Sequence, residues 1–79
     1  MANKIAFDLV SPEKLLLSAQ ADMVTVPGTE GYMGVMAGHA PIVTTLRAGM
    51  IDVNADGRDD RYFIRGGFAE IGPAKITVL

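Results

Sequence analysis

The chain has 79 residues, with seven basic and nine acidic side chains for a net charge of −2; 49% of residues are hydrophobic and 20% are charged. This length predicts one domain, residues 1–79, and the apolar-rich composition excludes an intrinsically disordered chain. No apolar run is long enough for a transmembrane helix, and the scattered basic residues form no patch that could bind nucleic acid.

The chain begins with two segments that are expected to pair as strands. Residues 4–10 alternate in a pattern that places the larger side chains on one face of a strand. Residues 15–21 form a second apolar segment. A helix over residues 12–21 is the alternative for this segment, although its three consecutive leucines do not follow helical spacing.

Glycine and proline dominate the middle of the chain. A third strand is expected at residues 22–26, with Pro27 as its terminator and residues 28–34 as a long glycine-rich loop. Residues 33–37 favour a short strand before the turn at residues 38–41.

The second half of the chain predicts a hairpin and two further strands. Residues 42–46 are β-branched and apolar, and residues 50–53 are expected to pair with residues 62–64 across a turn. Further strands are expected at residues 68–71 and 75–79. About ten short strands with frequent turns predict an all-β fold, a β-sandwich or flattened barrel.

No catalytic or metal centre is predicted from the side chains. There is no cysteine, and His39 is the single histidine, so neither a disulfide nor a Cys/His zinc site can form. His39 also lacks a serine or cysteine nucleophile partner in any recognisable motif, which argues against hydrolytic catalysis. The sequence predicts no cofactor.

Two short segments have an alternative interpretation as ligand sites. Asp52, Asn54 and Asp56, followed by a glycine, match the first half of a calcium-binding loop, but position twelve is Phe63 instead of glutamate. The favoured interpretation is a β-hairpin with an Asp-Gly turn. Residues 28–34 are glycine-rich like a phosphate loop, yet they lack the Gly-Lys-Ser/Thr ending; a contact loop exposing Tyr32 and Met33 is a third interpretation.

Several stretches in the same order resemble the N-terminal β-sandwich domain of the epsilon subunit of bacterial F-type ATP synthase, which is called delta in mitochondria. The resemblance covers essentially all 79 residues, and the glycine loop followed by Gly-His-Ala-Pro, together with Gly-Gly-Phe-Ala-Glu, is its specific part. The matching stretches are residues 7–13, 28–31, 38–41, 45–51, 66–70 and 76–79.

This resemblance implies a non-catalytic rotor subunit of a proton-translocating enzyme. Members of the family bind the gamma shaft and rest on the c-ring, helping to couple proton flow to ATP synthesis at the cytoplasmic side of the bacterial plasma membrane. They are peripheral to the membrane and are held there through other subunits. A free-standing β-sandwich binding module, with or without calcium, is the alternative.

The resemblance also assigns contact residues. The c-ring contact is expected at Thr29, Glu30, Gly31 and Tyr32. Many family members carry an acidic residue where Tyr32 stands, which leaves Glu30 to provide the charge.

The gamma contact is expected at Ser11, His39 and Thr44. The family usually continues into a C-terminal helical hairpin that inhibits ATP hydrolysis and in some members binds ATP. That hairpin is absent from these 79 residues, so neither role is assigned to them.

Overall fold

The computed structural model describes residues 3–11 and 13–79, and this part of the chain contains nine β-strands. In chain order they are β1 (Ile5–Val10), β2 (Leu15–Ala21), β3 (Met23–Gly28), β4 (Gly31–Val35), β5 (Ile42–Leu46), β6 (Gly49–Ala55), β7 (Arg58–Ile64), β8 (Gly67–Ile71) and β9 (Lys75–Val78). The all-β prediction is confirmed, with nine strands where about ten were expected. Over the described ranges, no helix has the length and apolar character needed to cross a membrane.

The strands form one curled sheet in the order β2-β1-β9-β8-β5-β3-β6-β7, and β4 pairs with β3. β1 and β9 run parallel, whereas the other paired strands are antiparallel. A single residue pair, Gly28 with Leu46, joins β3 to β5. This narrow junction lets the sheet fold over into two layers, β2-β1-β9-β8-β5 and β4-β3-β6-β7, which gives the expected β-sandwich.

The hydrophobic core lies between these two layers. Alternate residues of each strand point to the same face, so Ile5 and Phe7 of β1 enter the core together with Val24 and Val26 of β3. The Phe7 ring stacks against the ring of Tyr62 at a centroid distance of 6.5 Å, which joins β1 to β7 across the core. The buried core residues are Ile5, Phe7, Ala21, Val24, Val26, Val35, Leu46, Ile51, Val53, Ala69, Ile71, Ile76 and Val78.

The helix considered for residues 12–21 is not formed where the structure describes this segment. Leu15–Ala21 is β2, which pairs antiparallel with β1, and Pro12 lies outside the described residues. The pairing register shifts between Leu9 and Val10. Beyond that shift, the leucines at the start of β2 are exposed, whereas Ala21 at its end is fully buried. Tertiary pairing with β1 therefore decides the conformation, because the apolar run alone fits a helix or a strand.

The prediction that Pro27 ends the third strand is wrong. Pro27 lies within β3 and opposes Tyr32 of β4. Its carbonyl accepts a hydrogen bond from the backbone N–H of Arg47. Because the N and C=O of one strand residue point to the same side, the Pro27 nitrogen also faces this side of β3. On that side the pairing with β6 has already ended at Thr25, and the pairing with β5 begins only at Gly28. The missing proline N–H therefore interrupts no ladder, which is where sheets tolerate proline.

The hairpin predicted between residues 50–53 and 62–64 is confirmed and extends further than expected. β6 and β7 pair from Gly49 with Ile64 to Ala55 with Arg58. Only Asp56 and Gly57 remain as the turn, with φ angles of 53° and 79°. Positive φ at both turn positions is the type I′ geometry that an Asp-Gly dipeptide favours.

Candidate partner-binding surface

The glycine-rich residues 28–34 form a tight hairpin, so the expectation of a long loop is wrong. β3 and β4 pair up to Gly28 with Gly31, which leaves Thr29 and Glu30 as a two-residue turn. Both turn residues are exposed. Strand β4 covers residues 31–35, two residues earlier than the predicted strand at 33–37. The hairpin therefore presents a compact tip with the Glu30 carboxylate at its apex.

Tyr32 and Met33, the first residues of β4 after Gly31, differ in exposure. Tyr32 is 56% exposed, as expected for a contact residue. Met33 is mostly buried and packs against the hydrophobic core, so the expectation that it is displayed at the tip is wrong. The two side chains point to opposite faces of β4, because successive strand residues alternate.

Arg47 is the residue that sequence reasoning missed at this hairpin. Its backbone N–H donates to the carbonyl of Pro27 at 2.9 Å, and its Nε donates to the carbonyl of Gly28 at 3.2 Å. Its guanidinium carbon lies 4.9 Å from the centre of the Tyr32 ring, within the range of a cation–π interaction. These partners lie 15 to 20 positions away in the sequence, so no local pattern could have indicated them.

A shallow cleft of about 190 Å³ lies beside the hairpin and combines two of the predicted contact regions. Residues 28–33 line it from the hairpin side, and Thr44 of β5 lines it from the other side. The structure therefore brings Thr44, predicted to face the gamma shaft, next to the segment predicted to contact the c-ring.

Ser11 and His39 lie at opposite ends of the β2-β1-β9-β8-β5 layer. Ser11 follows the end of β1, where its Oγ accepts the backbone N–H of Lys14 at 3.2 Å. His39 precedes β5, and its Nδ1 lies 2.7 Å from the carbonyl oxygen of Ala40. A carbonyl oxygen only accepts hydrogen bonds, so this contact assigns the proton to Nδ1. By strand register, Ser11 shares its end of the sheet with the hairpin tip and His39 does not.

A cluster of charged side chains joins three elements at the end of the sheet away from the hairpin tip. The Nζ of Lys4 lies 2.7 Å from a carboxylate oxygen of Asp22 and 2.7 Å from one of Asp56. The other Asp22 oxygen accepts the backbone N–H of Asp56 at 2.9 Å. Hydrogen bonds from Lys4 and from this N–H lower the pKa of Asp22, and the bonds to Asp22 and Asp56 raise the pKa of Lys4.

A second ion pair links β1 to β9. Lys75 Nζ lies 2.9 Å from one oxygen of Asp8, and the hydroxyl of Ser18 donates to the other at 2.8 Å. The Lys75 bond is the larger cause of the lowered pKa of Asp8. Both of these charge clusters connect strands to one another, which is a structural role.

The side chains considered for a calcium loop are engaged elsewhere. Asp52 lies 2.9 Å from Arg61 Nε, an ion pair in which the N–H is not directed at the oxygen. Asn54 donates to Asp59, and Asp56 is held by Lys4. Within residues 3–11 and 13–79, no group of three acidic, histidine or cysteine side chains is arranged to hold a metal ion. The antiparallel pairing of β6 with β7 confirms the hairpin interpretation of this segment.

Comparison with known sequences shows the family. The sequence model described as "ATP synthase, Delta/Epsilon chain, beta-sandwich domain" matches residues 4–79. The ATP synthase epsilon chain of Parvibaculum lavamentivorans is 61% identical over 80 aligned residues, which cover 100% of this chain and 61% of that protein. The epsilon chain of Paramagnetospirillum magneticum is 54% identical, and the alignment covers 60% of it. The chain thus spans about three fifths of the length of these curated relatives.

Solved structures show the same fold. A chain in the cryo-EM structure of the Euglena gracilis mitochondrial ATP synthase, described as OSCP/F1/c-ring, matches with a TM-score of 0.88 and 30% identity, covering 99% of this chain and 51% of that one. A chain of the Tetrahymena thermophila mitochondrial ATP synthase central stalk and c-ring matches with a TM-score of 0.71 at 15% identity, a likeness of fold alone. On the match over residues 4–79, this chain belongs to the family of ATP synthase delta/epsilon chain β-sandwich domains.

Proposed function

We propose that this chain is a non-catalytic part of the central stalk of a proton-translocating F-type ATP synthase, linking the gamma shaft to the c-ring and helping to couple proton flow to ATP synthesis. The observation that carries this proposal is the similarity to ATP synthase epsilon chains along its whole length. The likeness to a chain of an ATP synthase structure that includes a c-ring supports it. In a bacterium this role implies a peripheral position at the cytoplasmic side of the plasma membrane.

The hairpin tip is the proposed c-ring contact. Thr29 and Glu30 project from a tight turn at one end of the sheet, where a partner can reach them without disturbing the core. Glu30 carries the only charge among residues 29–32. A basic or polar loop on the ring would therefore complement this tip.

The gamma contact is proposed along the β2-β1-β9-β8-β5 layer. Ser11 and His39 lie at opposite ends of this layer, so a partner that touches both must extend along strands of five or six residues, roughly 17–20 Å. Val43, Phe68 and Leu79 are about half exposed or more, and strand register places them on the outer face of the same layer. Exposed apolar side chains of this kind contribute most to the free energy of binding when a partner surface covers them.

A charge reversal at the tip tests the ring contact. In membranes carrying the assembled enzyme, we expect Glu30→Lys to lower ATP-driven proton pumping relative to ATP hydrolysis by about two- to fivefold, as for a reversed exposed ion pair. The thermal melting temperature of the domain should stay the same, because Glu30 is exposed in a turn.

Asp60→Lys is the matched control, since it reverses an exposed carboxylate on β7, away from the tip. The proposal is contradicted if Asp60→Lys lowers the pumping ratio as much as Glu30→Lys, or if neither variant changes it at low ionic strength, where surface charges are least screened.

A further inference from the structure

The hairpin tip has little support from its neighbouring strands. β6 pairs with β3 only at residues 23–25, and β5 pairs with it only at Gly28. Beyond Thr25, the hairpin is mainly a two-stranded unit of β3 and β4. Core packing of Val26 and Met33 holds the inner face of the hairpin, but no strand pairs along its β3 edge between Thr25 and Gly28. The direction of the tip therefore also depends on contacts at its base, since a two-stranded unit alone is marginally stable in water.

Arg47 supplies these contacts to both strands of the hairpin. On β3 it donates to two consecutive carbonyls, those of Pro27 and Gly28, one from the backbone and one from the guanidinium group. On β4 its guanidinium lies over the Tyr32 ring. The guanidinium is planar and presents its donors in a fixed fork, so it can stack and donate at the same time.

The Tyr32 hydroxyl also lies close to the start of β6. A Cβ built at Gly49 would lie 3.0 Å from Cβ of Pro27 and 3.2 Å from the hydroxyl oxygen of Tyr32. The hairpin base therefore packs close to the backbone at Gly49, the first residue of β6, and the side chain of Arg47, two residues earlier, reaches both strands.

We propose that Arg47 is a positioning residue for the c-ring contact: it fixes the direction of the β3–β4 hairpin so that Thr29 and Glu30 meet the partner. This inference rests on the proposed function of the tip. Two of the Arg47 donors bond within the domain, since Nη1 lies 3.4 Å from the carbonyl oxygen of Ala48 and Nε bonds to Gly28. Through these contacts Arg47 acts on the hairpin without a partner contact of its own.

Photo-crosslinking from the tip in the assembled enzyme tests this inference. A Thr29→Cys full-length subunit carries a photoactivatable maleimide, and the adduct with the c-ring is measured per subunit assembled on the membrane. Loss of the guanidinium hydrogen bond to Gly28 and of the cation–π contact with Tyr32 predicts a roughly three- to tenfold lower ring adduct for Arg47→Ala. Arg47→Lys should give an intermediate yield, because lysine keeps the charge but loses the planar fork.

Arg58→Ala is the matched control, since Arg58 is an exposed arginine at the opposite end of the sheet, and its ring adduct should equal that of the parent. Arg47→Gln removes the charge and the planar fork but keeps a long side chain, and it serves if Arg47→Ala fails to assemble. Equal ring adducts for the parent, Arg47→Lys and Arg47→Gln would overturn the positioning role. A parent subunit that forms no ring adduct would instead overturn the proposed function of the tip.

Discussion

At the scale of single residues, Gly67 shows how the backbone restricts a position on the surface of this sandwich. Gly67 has a φ of 138°, and a Cβ there would lie 2.0 Å from the carbonyl oxygen of Leu79. That carbonyl accepts the backbone N–H of Phe68 at 3.1 Å, so it cannot move without breaking the end of the β8–β9 pairing. Steric packing thus explains why the second residue of the Gly-Gly-Phe-Ala-Glu stretch is a glycine.

Alanine substitution separates this packing effect from backbone strain. Gly67→Ala should destabilise the domain by about 2–5 kcal/mol, because it adds a steric clash to an unfavourable φ. Gly57→Ala should cost only about 1 kcal/mol, since Gly57 has a φ of 79° but no atom within 4 Å of its built Cβ. Urea unfolding measures both, and equal midpoints for the two variants would contradict the packing argument.

At the scale of elements, Lys4 joins the start of β1 to two other parts of the fold. Its two carboxylate partners come from Asp22, at the corner between β2 and β3, and from Asp56, in the β6–β7 turn. The backbone N–H of Asp22 also donates to the carbonyl of Asn54 at 2.7 Å. This cluster therefore holds the two layers together at the end where β2 and β6 approach each other.

The pKa shifts in these clusters predict how stability depends on pH. Asp22 and Asp8 have lowered pKa values, so their stabilisation is fully present above the unfolded value of about 4 and is lost as pH falls through the folded values. Lys4 has a raised pKa, so its contribution is present below about pH 10 and is lost as pH rises through the folded value. The melting temperature should therefore decrease as the pH is lowered below about 4.

Asp22→Asn tests the acid side of this profile. The variant has no carboxylate at position 22 to protonate, so its melting temperature should fall less steeply below about pH 4 than that of the parent. Asp60→Asn, an exposed carboxylate on β7, is the control and should keep the parent slope. Parallel acid profiles for the parent and Asp22→Asn would show that the Lys4 cluster does not contribute.

At the scale of the whole molecule, both layers depend on one shared core. Ile76 lies in the β2-β1-β9-β8-β5 layer and Ile51 in the other, and both are fully buried in the same cluster. The Phe7–Tyr62 stack also crosses between the layers. Neither layer can keep its apolar face covered without the other, so the domain should unfold in one cooperative transition.

A core substitution in one layer should therefore be detected by a probe in the other. We expect Ile76→Ala to lower the unfolding free energy by about 2–5 kcal/mol and to shift the Tyr62 fluorescence transition together with the far-ultraviolet circular dichroism transition. Tyr32→Phe provides the background, leaving Tyr62 as the only tyrosine. Phe63→Ala, at a side chain 64% exposed, should change stability by about 0.5 kcal/mol or less. Separate midpoints for the two probes in Ile76→Ala would contradict a single core.

The sequence alone determined those strands and the one turn for which neighbouring residues give a clear pattern. The alternation of residues 4–10 and the Asp56-Gly57 dipeptide were sufficient for β1 and for the β6–β7 hairpin, because side-chain period and turn φ are local properties. The family and its β-sandwich fold followed from motifs in sequence order. The contact residues Ser11, Thr29–Tyr32, His39 and Thr44 came from the resemblance, and they stay predictions.

Only the tertiary structure decided the features that depend on distant neighbours. Pro27 is tolerated within β3 because neither β5 nor β6 pairs with β3 at that position. Residues 15–21 form a strand because they pair with β1. Arg47 supports the hairpin through residues 15 to 20 positions away, which no local window includes. The apolar excess of this short chain was visible from the start, but which side chains enter the core and which remain exposed was fixed only when the sheet folded over on itself.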